Sequence, residues 1–252
     1  MRLTESQLQL CLTRFKGKLI NGKKSTNYQR FSLWAFTDPT RISDPRVQVT
    51  MQLDITDLYA VYEKYYKETE GATFTAYMKW VLIKAMKNTP FNWRFINNQW
   101  YEFDNLPLEA AVFLKDGDGE QRVFFLYDVD ESTWPEFSLK HSAISNINLK
   151  DSLDDLQELP LYTFCHAIVG VHFPRMTAYS TTAKAREEYT HQPWMVFGTR
   201  YTQEGRLYLP FYLSFSHASL IPGLAERFIR KFVALGEQPF EVEEEQLSRA
   251  KL

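Results

Sequence analysis

Residues 207–217 read LYLPFYLSFSH, and residues 218–223 continue as ASLIPG. The first segment is long and apolar, so it predicts a buried strand, and it ends on the imidazole of His217. Pro222 and Gly223 then predict the start of a helix. Open α/β sheets place reactive groups where a strand is followed by a helix, and histidine changes charge near neutral pH. His217 is therefore a candidate general base, although a structural histidine also fits this position.

The rest of the sequence alternates predicted strands and helices. Period-two alternation of apolar residues indicates strands, and apolar stripes at helical spacing indicate helices. Strands are predicted at 47–53, 94–102, 109–115, 122–128, 166–173, 176–180, 194–202 and 207–217, and helices at 5–15, 54–68, 73–87, 135–153 and 222–235. The sequence contains no internal repeat and no long linker. These elements predict one α/β domain in which helices cover a mixed sheet.

Composition and charge narrow the class of protein. The chain has 252 residues, of which 44% are hydrophobic, enough to build one full core. A formal net charge of -2 disfavours nucleic acid as a partner, because neutralising phosphates requires a basic surface. Cys11 and Cys165 lie far apart, which favours a reduced, cytoplasmic protein. The polar start and the lack of an apolar run of about 18 residues predict neither a signal peptide nor a membrane span.

The sequence offers little sign of a metal or nucleotide site. No group of His, Cys, Asp and Glu has the spacing of metal ligands, so we predict no metal. Four other histidines, at 141, 166, 172 and 191, form no pattern that indicates chemistry. Neither a glycine-rich phosphate loop nor a Gly-x-Ser-x-Gly motif is present.

Four separated segments carry a family resemblance. They are YQRFSLWAF at 28–36, VTMQLDIT at 49–56, PRMT at 174–177 and RYTQEGRLYLP at 200–210, the last leading to Ser-His at 216–217. They resemble, in order and at similar spacing, the chloramphenicol acetyltransferase family of CoA-dependent acyltransferases, whose signature is His-His-x-x-x-Asp-Gly. The resemblance implies that family's single-domain, two-layer sandwich of mixed β-sheet and helices. It also implies an N-terminal extension at 1–26, an acetyltransferase-like domain at 27–236 and an acidic C-terminal tail at 237–252.

The same resemblance implies a reaction and a set of site residues. His217 matches the family's general base, and Thr177 matches the serine whose hydroxyl binds the oxyanion. Phe36 and Val196 fall at positions close to the acceptor, and Arg30 matches an arginine that braces the site. Acyl-CoA would be the co-substrate and a small hydroxyl or amine compound the acceptor. The implied assembly is a homotrimer with active sites between subunits.

The signature is altered at three of its positions. Ser216 replaces the first histidine, Ile221 falls at the aspartate, and Pro222 falls at the glycine, which Gly223 restores one residue later. The family's arginine pairs with that aspartate, so Arg30 has lost its expected partner. A buried, unpaired guanidinium is costly. Arg30 is therefore expected either to be exposed or to pair with another acid.

Three functions remain open at this stage. The first is acyl transfer from acyl-CoA to a small hydroxyl or amine. The second is a catalytically degenerate homologue that serves as a binding or structural module. The third is a thioester hydrolase or condensing enzyme on the same fold. Val196 replaces a threonine of the family, so chloramphenicol itself is not the expected acceptor.

Overall fold

The computed structural model describes residues 3–20, 27–38, 40–113, 121–145, 167–172, 191, 193–219 and 222–238. Its helices are α1 Glu5–Arg14, α2 Asn27–Thr37, α3 Thr56–Val61, α4 Phe74–Met86, α5 Trp134–Ser145 and α6 Pro222–Glu237. A π-helical turn at Tyr62–Tyr66 extends α3, and a 3-10 turn lies at Pro90–Asn92. Its strands are β1 Gly17–Leu19, β2 Arg46–Asp54, β3 Trp93–Ile96, β4 Gln99–Phe103, β5 Leu108–Phe113, β6 Gln121–Leu126, β7 Ala167–His172, β8 Trp194–Phe197, β9 Tyr201–Gln203 and β10 Arg206–Ser216.

The described strands form a large mixed sheet and a small antiparallel one. The large sheet has the order β2-β10-β8-β7-β5-β6, and β9 forms a hairpin with the start of β10. In this sheet β7 runs parallel to β5 and β8, whereas the other neighbours are antiparallel. The small sheet has the order β1-β4-β3. The α/β class with a mixed sheet is therefore confirmed.

Strand β10 lies second in the large sheet, between β2 and β8, and its two faces carry different kinds of side chain. Phe211, Leu213 and Phe215 alternate along it and join the main hydrophobic core. Ser214 and Ser216 each lie one residue out of step with these three, so their side chains point to the opposite face. The strand is buried from Leu209 onward because β2 and β8 flank it. Ser216 is the last residue of β10 and directly precedes His217 of the candidate site.

The main core is built by the helices on the large sheet. Helix α4 is apolar nearly all round and is buried along nearly its whole length, and it packs against α5 and α6. Thr73 caps α4, because its side chain accepts a hydrogen bond from the Ala76 amide. Tyr77 and Trp80 of α4 pack against Trp134 of α5.

A second, smaller core joins the N-terminal segment to the small sheet. Leu8 and Cys11 of α1 pack with Tyr101 and Phe103 of β4. Thr4 forms a capping box with Gln7 at the start of α1. The segment predicted to be an N-terminal extension thus lies against the small sheet, to which β1 also contributes a strand.

Several predicted elements need correction. The single strand expected at 94–102 is a hairpin, because Asn97 and Asn98 have positive φ angles of 50° and 64° and make the turn between β3 and β4. The strand expected at 194–202 is split into β8 and β9. Strand β1 and helix α2 were not predicted. The strand expected at 176–180 lies outside the described residues.

Candidate active site

His217 directly follows the last residue of β10. Its backbone N–H donates to the carbonyl oxygen of Pro45 at 2.8 Å, and Ser216 pairs with Arg46 at the start of β2. The pairing of β2 with β10 therefore fixes the position of the His217 backbone at the end of the sheet. This placement at a strand end agrees with the position expected from the sequence.

The ring of His217 stacks on Phe36. The two ring centroids lie 4.3 Å apart and the planes are inclined by 16°, so the phenyl group of α2 forms one wall for the imidazole. The residue is half-buried, and its Nδ1 atom is buried without a hydrogen-bond partner among the described residues. The imidazole thus keeps hydrogen-bonding capacity that the described part of the chain does not use. The carbonyl of Pro45 accepts its hydrogen bond from the backbone N–H of His217, so this bond does not involve the imidazole ring.

A second imidazole lies next to this strand end. Nδ1 of His191 is 2.8 Å from Oγ of Ser216, and the Ala218 N–H donates to the same oxygen at 3.2 Å. The carbonyl of Ser216 also accepts from the amide and the hydroxyl of Ser219, both at 3.3 Å. The hydroxyl and the carbonyl of Ser216 therefore both stabilise the turn that carries His217.

Aromatic rings of the small sheet surround His191. Phe95 and Trp100 each approach it edge-on with centroids 5.2 Å away. Burial lowers the pKa of His191 to about 4, so its imidazole is neutral at pH 7. Trp100 also donates from Nε1 to Oγ1 of Thr37 at 3.1 Å, next to Phe36 in sequence. The small sheet, α2 and β10 thus meet around His217.

The remaining predicted site residues have different placements. Arg30 is exposed on α2 and donates to Oδ1 of Asn27, which is the first of the two alternatives expected for it. Val196 is buried in β8 opposite Tyr212 of β10. Thr177 and Ile221 lie outside the described residues. Of the five predicted site residues, the structure brings Phe36 and His217 into contact.

A separate shallow cavity lies near the other end of β10. Phe74, Thr75 and Met78 of α4 line it together with Leu209 and Arg200, and Phe197 and Gly198 complete its wall. The Arg200 guanidinium lies 4.8 Å from the centroid of the Tyr59 ring and 5.2 Å from that of Phe74. A cation that lies against two aromatic rings beside an apolar cavity suits a ligand that carries both a phosphate and an apolar or aromatic part.

The described residues contain neither a metal-binding cluster nor a membrane-spanning helix. Within them, no group of three or more His, Cys, Asp or Glu side chains is arranged to hold a metal ion. No helix in this part of the chain is long and apolar enough to cross a membrane.

Comparison with solved structures identifies the fold. A chloramphenicol acetyltransferase superimposes with a TM-score of 0.64 at 13% identity, over 86% of this chain and 98% of that one. The chain has the chloramphenicol acetyltransferase fold. A probable dihydrolipoamide acetyltransferase from Listeria monocytogenes 4b F2365 gives a TM-score of 0.56 at 15% identity, over 87% of this chain and 93% of that one. The dihydrolipoamide acetyltransferase of Azotobacter vinelandii gives 0.56 at 18% identity, over 94% and 91%.

These comparisons confirm the fold that the sequence resemblance implied. No protein-family model matches the chain, and no curated protein sequence does so. Identities of 13–18% show a shared acetyltransferase fold and leave the reaction to be argued from the site.

Sequence reasoning missed His191. It precedes a Gln-Pro pair in a loop, and nothing in its neighbours indicates chemistry. Its contact with Ser216 depends on how distant strands are ordered in the sheet. The one available signal was Ser216 itself, a small hydroxyl residue at a position where the acetyltransferase signature has an imidazole.

Proposed function

We propose that this protein transfers an acyl group from acyl-CoA to the hydroxyl or amine of a small molecule, with His217 as the general base. The observation that carries the proposal is the imidazole held at the end of β10, stacked on Phe36 and bonded through its backbone to Pro45. An imidazole fixed in this way is suited to proton transfer near neutral pH. The acetyltransferase fold supports the choice of acyl transfer over other uses of a base.

The proposed chemistry needs a base and an oxyanion donor. His217 accepts the proton of the acceptor hydroxyl or amine, and the acceptor atom bonds to the thioester carbonyl carbon. The Thr177 hydroxyl, assigned by resemblance, donates a hydrogen bond to the oxyanion that forms. The carbon–sulfur bond then breaks, and the imidazolium returns its proton so that CoA leaves as a thiol. His217 and Thr177 act on the substrates directly, without a covalent acyl-enzyme.

The acceptor is proposed to lie against Phe36 and Val196. Phe36 is supported by its stack on His217, since a group close to that ring is also close to the base. Val196 enters through the family resemblance, and its isopropyl group makes the wall apolar. We therefore propose an acceptor with an apolar part next to its reactive hydroxyl or amine, rather than chloramphenicol.

The Arg200 cavity is a candidate for the nucleotide part of acyl-CoA. The cavity includes Leu209, eight residues before His217 along an extended strand, which corresponds to about 26 Å. A co-substrate that contacts both places has to be long, with an anionic group at one end and the reactive group at the other. A guanidinium is well suited to binding phosphate.

Replacing Arg200 with glutamine is expected to raise the KM for acyl-CoA about 10-fold and to change kcat little. The variant removes the charge that would bind phosphate, and it leaves His217 and its turn intact. Steady-state kinetics with varied acyl-CoA measure both constants. The matched control is Arg230→Gln, which removes an exposed guanidinium paired with Glu226 on α6. An unchanged KM in Arg200→Gln would remove this cavity from the proposed CoA site.

The proposed reaction is tested by thiol release from a panel of acyl-CoAs, with and without mixed alcohol and amine acceptors. We expect release that depends on the acceptor, together with an acylated product in mass spectrometry. Release at the same rate without acceptor would indicate a thioester hydrolase instead. No release from any donor, with no thermal shift on adding CoA, would leave a binding or structural module on the acetyltransferase fold.

The assembly and location of the protein are carried forward as proposals. A homotrimer with sites between subunits is implied by the family resemblance. Helix α2, which also carries Phe36 of the candidate site, supports this proposal. Its Phe31 and Trp34 side chains are 55% and 59% exposed, and exposed large apolar side chains are typical of interfaces. A cytoplasmic location is proposed on the cysteine usage of the sequence.

A further inference from the structure

Two hydrogen bonds meet at the hydroxyl of Ser216, the residue just before His217. The Ala218 N–H donates to Oγ of Ser216, which uses one acceptor site of the hydroxyl. Nδ1 of His191 lies 2.8 Å from the same oxygen, and this bond forms with either tautomer of the imidazole. The hydroxyl can donate its proton to Nδ1, or use its second acceptor site for an Nδ1–H group. One serine side chain thus connects His191 to the backbone on the far side of His217.

The contacts around His217 form a closed path. His217 stacks on Phe36, which is followed in α2 by Thr37. Thr37 accepts a hydrogen bond from Trp100, and Trp100 packs edge-on against His191. His191 returns to the start of the path through Ser216. The path links α2, β4, the segment at His191 and β10. Movement of the His217 imidazole would therefore disturb contacts between several elements.

We propose that the His191–Ser216 pair positions the His217 imidazole for proton transfer. His191 is then a positioning residue, supplied from outside the strand that carries the base. This inference rests on the proposed function of His217. Without the pair, Ser216 loses its hydrogen bond to His191, and with it the link through His191 to the rings of Phe95 and Trp100. A displacement of about 1 Å at a catalytic group costs on the order of 100-fold in rate, so the effect on kcat should be large.

The test uses His191→Phe, Ser216→Ala, their double variant and His191→Asn. Phenylalanine keeps an aromatic ring against Phe95 and Trp100 but removes the nitrogen that bonds to Ser216. Asparagine supplies an amide that can accept or donate a hydrogen bond near the place of Nδ1. We expect each of the first two variants to lower kcat about 30-fold without changing the KM for acyl-CoA. The double variant should be no slower than either single one, because both break the same bond. His191→Asn should retain activity within about 3-fold of wild type.

A second readout does not depend on activity. The ring signals of His217 are followed by NMR through a pH titration in the wild type and in both single variants. We expect the chemical shifts of the His217 ring to change in both variants, whereas those of His141, buried on α5, stay the same. Unchanged His217 signals, or kcat losses that add in the double variant, would overturn the positioning role. If the wild type transfers no acyl group, the proposed function fails while the NMR result still decides whether the pair positions His217.

Discussion

Replacing His217 with phenylalanine is expected to lower the rate of acyl transfer about 1,000-fold while the protein stays folded. General base catalysis contributes about 100- to 10,000-fold, and phenylalanine has no group that accepts a proton. The substituted ring can still stack on Phe36, and the backbone bond to Pro45 does not depend on the side chain. The loss should therefore appear in kcat and leave the KM for acyl-CoA close to that of the wild type. Thiol-release kinetics at saturating acceptor measure it.

The control for this variant is its own stability. A melting temperature and circular dichroism spectrum close to the wild type would show that the lost rate comes from the missing base. His217→Gln provides a second comparison, since its amide keeps hydrogen-bonding capacity without being a base at neutral pH. Turnover above a tenth of the wild-type rate in both variants would contradict the assignment of His217.

The parts of the fold that were predicted correctly have strong local patterns. Strand β10 is a long apolar run, β2 alternates with period two, and α4 combines a threonine cap with an apolar face all round. The small sheet was missed because β1 has three residues and the β3–β4 turn is Asn97-Asn98, without the glycine that marks most such hairpins. Helix α2 lacks an acidic residue in its first turn and a basic one in its last. It was therefore known only as a segment that resembles the acetyltransferases.

The candidate site was predictable only in part. The position of His217 follows from the end of one strand, which is local information. The family resemblance implied that Phe36 lies close to the acceptor, but its contact with His217 was not predicted, since no sequence pattern places residue 36 beside residue 217. The pairing of Ser216 with His191 follows from tertiary structure alone. Ser216 replaces the first histidine of the signature. The structure places the imidazole of His191, from another segment, within hydrogen-bonding distance of this serine.

Lys79 and His141 form a buried pair that the proposed reaction does not use. Lys79 of α4 and His141 of α5 are 1% and 5% exposed, and Nζ of the lysine lies 3.2 Å from Nε2 of the histidine. Burial lowers the pKa of Lys79 to about 8. Burial and then the nearby lysine charge lower the pKa of His141 to about 3. At pH 7 the pair therefore consists of a protonated lysine that donates to a neutral imidazole.

Replacing Lys79 with methionine is expected to raise the free energy of unfolding by about 2 kcal/mol at pH 7. A lysine pKa that is lower in the folded state means that folding opposes the charge, and each unit corresponds to about 1.4 kcal/mol. The fall from 10.5 to about 8 is thus a cost of about 3 kcal/mol. Methionine has a similar length and no charge, but it leaves Nε2 of His141 without its donor, which returns about 1 kcal/mol.

The dependence on pH separates this explanation from a general packing effect. Between pH 8 and pH 10.5 the unfolded wild type binds more protons at Lys79 than the folded one, so wild-type stability rises with pH in that window. The advantage of Lys79→Met should therefore be full below pH 8, vanish at pH ~9.5 and become a loss of about 1 kcal/mol above about pH 10.5, where only the lost hydrogen bond remains. Urea unfolding at pH 7, 9 and 10 measures it, with the exposed Lys64→Met as the matched control. A variant that is less stable than the wild type at pH 7 would show that the protein depends on a charged Lys79, and the advantage predicted for its removal would be wrong.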